Sequence, residues 1–115
     1  MKKFDVLILG GGASGIISAI KLASKGKTVG IIEKGFVVGK KILVTGNGRC
    51  NLTNMNMSSN FYNQDIEKFL KKFDEKETLK FFKDLGLLCT IDEEKRVYPF
   101  SNSAKSVLEV LTNKL

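Results

Sequence analysis

The chain opens on a nearly unbroken apolar run, Phe4, Val6, Leu7, Ile8 and Leu9, interrupted only by Asp5. Continuous hydrophobicity without alternation marks a parallel strand covered on both faces. A buried strand is therefore predicted over 4–9. The spacing then changes. Ile16, Ala19, Ile20 and Ala23 recur along one helical face, predicting a helix from about Ala13 to Lys25. Gly26 stands where a left-handed residue closes such a helix. The apolar run returns at Val29, Ile31 and Ile32, giving a second strand over 28–33. A strand, helix and strand in so short a span form a right-handed β–α–β crossover.

Periodicity stops between Lys34 and Gln64, where glycine and asparagine are frequent. Loops of this length inside compact domains are commonly functional, and the dense polar stretch from Gly39 to Asn54 favours that reading. Helical spacing resumes at Ile66, Phe69, Leu70 and Phe73. Asp74 followed by Glu77 suits a capping box. Leu79, Phe82 and Leu85 form the expected inner stripe of the next helix, with Gly86 at its end. Phe73, Phe81 and Phe82 read as core. Short strands over 87–91 and 96–98 flank an acidic turn at Asp92–Glu94, and Pro99 stops the second. A last helix begins after Ser103, with Ala104, Val107, Leu108, Leu111 and Leu115 on one side. The expected organisation is a βαβ unit over 4–33, a cofactor loop over 34–64 and a helical and hairpin segment over 65–115.

Composition narrows the function. The net charge is +7, but the lysines are scattered and many stand beside glutamates on helix faces. A solvated surface explains them better than a nucleic-acid or membrane partner. With no histidine in the chain, the usual general base and the commonest metal ligand are absent, and no metal site is expected. Cys50 and Cys89 have no CxxC or metal-type spacing, and a reduced, cytoplasmic protein accounts for them. Cys50 reads as a small buried packing residue, with a redox thiol as the alternative. Lys2 and Lys3 before an apolar run resemble an export signal, but Asp5 and Gly10–Gly12 break it. No stretch is long enough for a membrane span.

The chemistry lies in the glycines. Gly10-Gly11-Gly12-Ala13-Ser14-Gly15 fits G-x-G-x-x-G between a predicted strand and a predicted helix. Gly10 permits the tight turn, Gly12 admits a pyrophosphate to the backbone, and Gly15 lets helix and strand approach closely. Free amides near Ala13 and Ser14 then face the phosphates with a favourable dipole. Glu33 closes the second strand, eighteen residues after Gly15, and is placed to accept hydrogen bonds from adenosine ribose hydroxyls. Its charge disfavours a ribose 2′-phosphate. The pattern leaves FAD and NAD both open. Lys34 adjoins this acid. Lys40, Lys41 and Arg49 can offset pyrophosphate charge, Arg49 in bidentate fashion, although plain surface lysines would look the same. Asn47 and Asn51 tolerate unusual backbone angles and can brace the loop or meet a flavin edge.

The run from Gly39 to Asn54, GKKILVTGNGRCNLTN, resembles the signature of a family of bacterial flavoproteins described as aminoacetone oxidase-like or 3-dehydro-bile-acid Δ4,6-reductase-like. The resemblance continues at Arg96-Val97-Tyr98-Pro99-Phe100-Ser101-Asn102, Ala104 and Ser106-Val107-Leu108, and so spans the chain. It implies an FAD-binding domain with pyrophosphate at Gly10–Gly15, adenosine at Glu33 and the Lys40–Leu52 segment wrapping the cofactor. NAD(P)H would serve as electron donor in the full-length enzyme.

The expected fold class is α/β: the N-terminal βαβ of a Rossmann-type FAD-binding domain, with additional helices and a short β-hairpin, in an incomplete domain. Two parallel strands are fewer than a doubly wound sheet needs. Family members are longer, so the remainder of the same polypeptide is an expected partner and the substrate-contacting residues lie outside this segment. The leading expectation is a flavin-dependent oxidoreductase of unknown small-molecule substrate. The alternatives are an NAD-binding dehydrogenase domain and a catalytically inert fragment that binds FAD weakly or not at all. No catalytic residue stands out.

Overall fold

A computed structural model describes all residues from Met1 to Leu115. The expected β–α–β unit is present. β1 (Val6–Leu9) and β2 (Val29–Ile32) pair in parallel, with Val6 opposite Val29 and Leu9 opposite Ile32, and α1 (Ala13–Ser24) crosses between them. The Asp5 carboxylate accepts the Thr28 amide at 2.8 Å and fixes the open end of the pair. The helix places Ile16, Ala19 and Ile20 inward, while Ala23 is exposed. Gly26, at φ +80°, follows the helix end.

One expectation fails here. The two strands are covered by α1 on one face only. Leu7 (57% exposed), Leu9 (82%) and Ile32 (53%) stand on the other face in solvent. The unbroken apolar run reports that both faces are apolar, not that this chain supplies both covers.

The long loop also carries structure that periodicity could not signal. Lys40–Gly48 winds into two short 3₁₀ pieces, broken where Thr45 is extended and Gly46 and Asn47 take left-handed angles. Gly46 is needed at its turn because a Cβ there would lie 2.5 Å from the Asn51 amide nitrogen. A two-residue strand, β3 (Thr53–Asn54), and a 3₁₀ turn (Ser59–Phe61) follow.

α2 (Glu67–Lys72) and α3 (Glu75–Asp84) come next. The Asp74 side chain accepts the Glu77 amide at 2.9 Å, which is the N-cap half of the expected capping box. Burial in α3 falls on Phe81 and Phe82, whose rings meet edge to face at 5.2 Å, rather than on the expected stripe of Leu79, Phe82 and Leu85. Leu79 and Leu85 are half-buried, and Phe73 and Phe69 are exposed, so the aromatic core is a pair and not a trio.

The expected hairpin, β4 (Cys89–Ile91) and β5 (Arg96–Pro99), is the larger part of a three-stranded antiparallel sheet. β3 adds to the free edge of β5 through Thr53–Val97 and Asn54–Arg96. α4 (Ala104–Asn113) is capped by Ser103, whose hydroxyl accepts the Lys105 amide. It buries Ala104, Val107 and Leu111, and leaves Leu115 exposed. One cluster joins Ile16 and Ile20 of α1, Ile42 and Cys50 of the loop, Phe81, Phe82 and Leu87, and α4.

Candidate dinucleotide-binding site

The glycine loop leaves β1 still paired to its neighbour, with the Gly10 amide donating to Ile32 O at 2.8 Å. Gly10 then turns at φ +96°, an angle that costs side-chain-bearing residues dearly. Gly15 is sterically required. A Cβ on it would lie 2.2 Å from the Gly10 carbonyl oxygen, where α1 crosses β1. Gly12 differs: a Cβ there meets nothing within 4 Å, so this position faces open space.

Gly12 is also the N-cap of α1 and supplies no side-chain cap. The first intrahelical bond is Ile16 N–H to Gly12 O, and the amides of Gly12, Ala13, Ser14 and Gly15 find no acceptor in the chain. Four donors at a helix start, aligned with its dipole, form a site for an anion.

The segment after β2 folds back over this loop. The Gly39 amide donates to Gly11 O, and Val38 fills the space beside Gly11. The result is a cleft of about 360 Å³ that gathers Gly10, Gly12, Glu33, Lys34, Lys40 and Lys41. All six are candidate residues by their place in the sequence pattern. The half-buried Glu33 carboxylate takes part in no ion pair or hydrogen bond within the chain, so its acceptor oxygens are free despite three exposed lysines around the cleft. The cleft therefore combines the free acceptor oxygens of Glu33, the unpaired Gly12 amide and the positive charge of three lysines.

The other named residues lie elsewhere. Ala13 and Ser14 are exposed at the helix start, and Gly15 is buried beneath it. Arg49 is turned away from the glycine loop. Its guanidinium lies over the Tyr98 ring at 3.9 Å and donates to Asn102 Oδ1 at 2.9 and 3.3 Å. Asn51, oriented by its neighbours, donates its amide to Thr53 O at 2.9 Å and Val97 O at 3.3 Å, and the Leu52 amide donates to Val97 O at 2.8 Å. These residues fasten the loop to β5. Asn47 has the left-handed angle expected of it. Asn51 does not, and its neighbour Cys50 takes φ +58° instead. Cys50 is buried, as expected. Burial pushes its thiol pKa up, with the hydrogen bond to Thr45 opposing the shift. Gly11, Val37 and Gly39 also line or close the cleft. Only the glycine content around Gly39 hinted at this, because closure depends on where the returning loop lands.

Fold and site together define a dinucleotide-binding domain of Rossmann type. More specifically, the HI0933-like protein Rossmann domain matches residues 4–115, and the chain belongs to that family. The 3-dehydro-bile acid delta(4,6)-reductase of Clostridium scindens is 49% identical over 94% of this chain, which spans 28% of that relative. The ribosomal RNA dihydrouridine synthase of Escherichia coli is 37% identical over 62% of the chain and 18% of its own length. The beta-cyclopiazonate dehydrogenase of Aspergillus oryzae is 42% identical over 50% of the chain and 11% of its own length. The chain thus corresponds to a small part of each of these relatives. No helix is long and apolar enough to cross a membrane, and no group of three or more acidic or cysteine side chains could hold a metal ion.

Proposed function

We propose that this chain is the cofactor-binding part of a flavin-dependent oxidoreductase. FAD would lie with its pyrophosphate across Gly10–Gly15 and its adenosine ribose on Glu33. One observation carries the reading: Gly12, first of the four residues with unpaired amides at the start of α1, lines a cleft together with an unpaired carboxylate and three lysines. The relatives' names, a reductase and a dehydrogenase among them, support oxidation–reduction as the reaction class. Bound flavin supplies the hydride chemistry. The residues of this chain bind and orient it: the Gly12–Ser14 amides hold phosphate oxygens, Lys34, Lys40 and Lys41 offset their charge, and Arg49, Asn51 and Leu52 keep the covering loop in place from below. A small molecule remains the proposed substrate, NAD(P)H the electron donor, the cytoplasm the location and the rest of a longer polypeptide the structural partner.

Titration of the isotope-labelled chain with FAD, NAD and NADP tests this. FAD is expected to shift the amide resonances of Gly12–Gly15 and Glu33, with a weak dissociation constant, and Glu33→Ala is expected to weaken it tenfold or more. NADP is expected to do least. No shift in the glycine loop at millimolar FAD overturns the reading. Stronger perturbation by NAD than by FAD turns it toward a dehydrogenase.

A further inference from the structure

A second cavity, of about 330 Å³, lies behind the start of α1, separate from the dinucleotide cleft. Ala13 and Ile17 form its α1 side, Cys50 and Leu52 its loop side, and the Phe81–Phe82 pair its far wall. Ten of its thirteen lining residues are hydrophobic. Its few polar side chains are nearly all spent. The Thr45 hydroxyl donates to Ile42 O at 2.6 Å, and the Thr78 hydroxyl donates to Asp74 O at 3.0 Å. The Asn51 amide group donates to two backbone carbonyls, which leaves Asn51 Oδ1 as an acceptor without a donor.

We infer that this cavity binds a small molecule built on a largely hydrocarbon ring system and carrying one hydrogen-bond donor, which it directs at Asn51 Oδ1. Size supports more than one ring. An apolar cavity of about 150 Å³ already takes benzene, and small-molecule sites begin near 300 Å³ with mostly apolar linings and a few placed polar groups. The lining disfavours charged ligands, because no charged side chain is among the lining residues and the nearest cation, Lys21 Nζ, is held over the Phe81 and Phe73 rings at 5.3 and 6.0 Å. The Phe81 and Phe82 rings, perpendicular to each other, give this wall an aromatic surface suited to an aromatic guest. Binding stands on the cavity alone. That the guest is the reactant rests on the proposed function, since Ala13 lines this cavity while Gly12, one residue earlier, lines the cofactor cleft.

The test is a methyl-resonance titration of the 115-residue chain with 2-naphthol, and with naphthalene as the donor-free control. Saturable shifts are expected at Ile17, Ile42, Leu52, Val107 and Leu111, with none at the solvent-facing Leu7 and Leu9. Naphthalene is expected to bind at least threefold more weakly. Thr78→Phe, which projects a ring into the space, is expected to raise the dissociation constant tenfold or more, and Leu52→Phe provides a second filling variant if the first does not fold. Absence of saturable shifts, equal shifts at Leu7 and Leu9, or unchanged binding in a folded filled variant each overturn the inference. Binding of 2-naphthol together with no response of Gly12–Gly15 to FAD would leave the cavity standing and remove only the flavin reading.

Discussion

The Arg49 guanidinium lies 3.9 Å from the centre of the Tyr98 ring, and its two donors converge on Asn102. A residue whose charge and fork suit a pyrophosphate is thus committed to the turn between β5 and α4. It ties together the two segments, Gly39–Asn54 and Arg96–Asn102, that give the chain its most distinctive sequence. Stacking on an aromatic face and a charge-assisted hydrogen bond are each worth roughly 0.5–2 kcal/mol at half-exposed positions. Arg49→Ala is expected to cost about 1–2 kcal/mol in urea unfolding. Arg49→Lys is expected to recover little of it, since an ammonium lacks the planar fork. A double-mutant cycle with Asn102→Ala measures the coupling, and additivity of the two losses would show that the pair does not act as a unit.

Two glycines of the same loop are expected to fail in different ways. Gly15→Ala drives a Cβ to 2.2 Å from backbone at Gly10 and is expected to lower stability by roughly 2 kcal/mol or more through overpacking. Gly12→Ala meets nothing in the chain, so its unfolding curve is expected to stay close to the parent's while FAD affinity falls at least tenfold. Equal losses of stability in the two variants would contradict the assignment of Gly12 to the ligand.

The acidic turn has a defined pH response. At Asp92, desolvation pushes the carboxyl pKa up, but the hydrogen bonds from the Arg96 side chain and backbone and the Glu94 amide outweigh it and hold the pKa below the usual aspartate value. A carboxylate with a depressed folded-state pKa stabilises above its unfolded pKa and loses that contribution as pH falls through the folded value. The turn is therefore expected to weaken only on strong acidification, below about pH 4. Carbon-detected titration of the Asp92 carboxyl checks this, and Arg96→Ala is expected to move the midpoint upward.

The bare face of the parallel pair has a solution consequence. Leu7, Leu9 and Ile32 expose adjacent apolar side chains on one side of β1 and β2. Contiguous apolar surface of this kind promotes association. Sedimentation velocity is expected to show concentration-dependent self-association, reduced by Leu7→Ser together with Leu9→Ser. Stability is expected to change by no more than about 0.5 kcal/mol per site, as for other exposed positions.

Local rules were enough for the parts of this protein that rest on neighbours in sequence. The βαβ unit was legible because hydrophobic period, Gly26 and the glycine motif all act within one turn or strand, and Glu33 followed from the length of the crossover. The Asp74 cap and the start of the last helix after Ser103 were readable for the same reason. What the sequence did not disclose depends on distant partners. β3 is two residues long and exists because Thr53 and Asn54 find the free edge of β5, some forty residues away. The fate of Arg49 was decided by Tyr98 and Asn102, since a guanidinium serves a phosphate or an aromatic face equally well until the fold brings one of them near. The same holds for the apolar strands: composition shows that both faces avoid water, but only the packed chain shows that α1 covers one and leaves the other open.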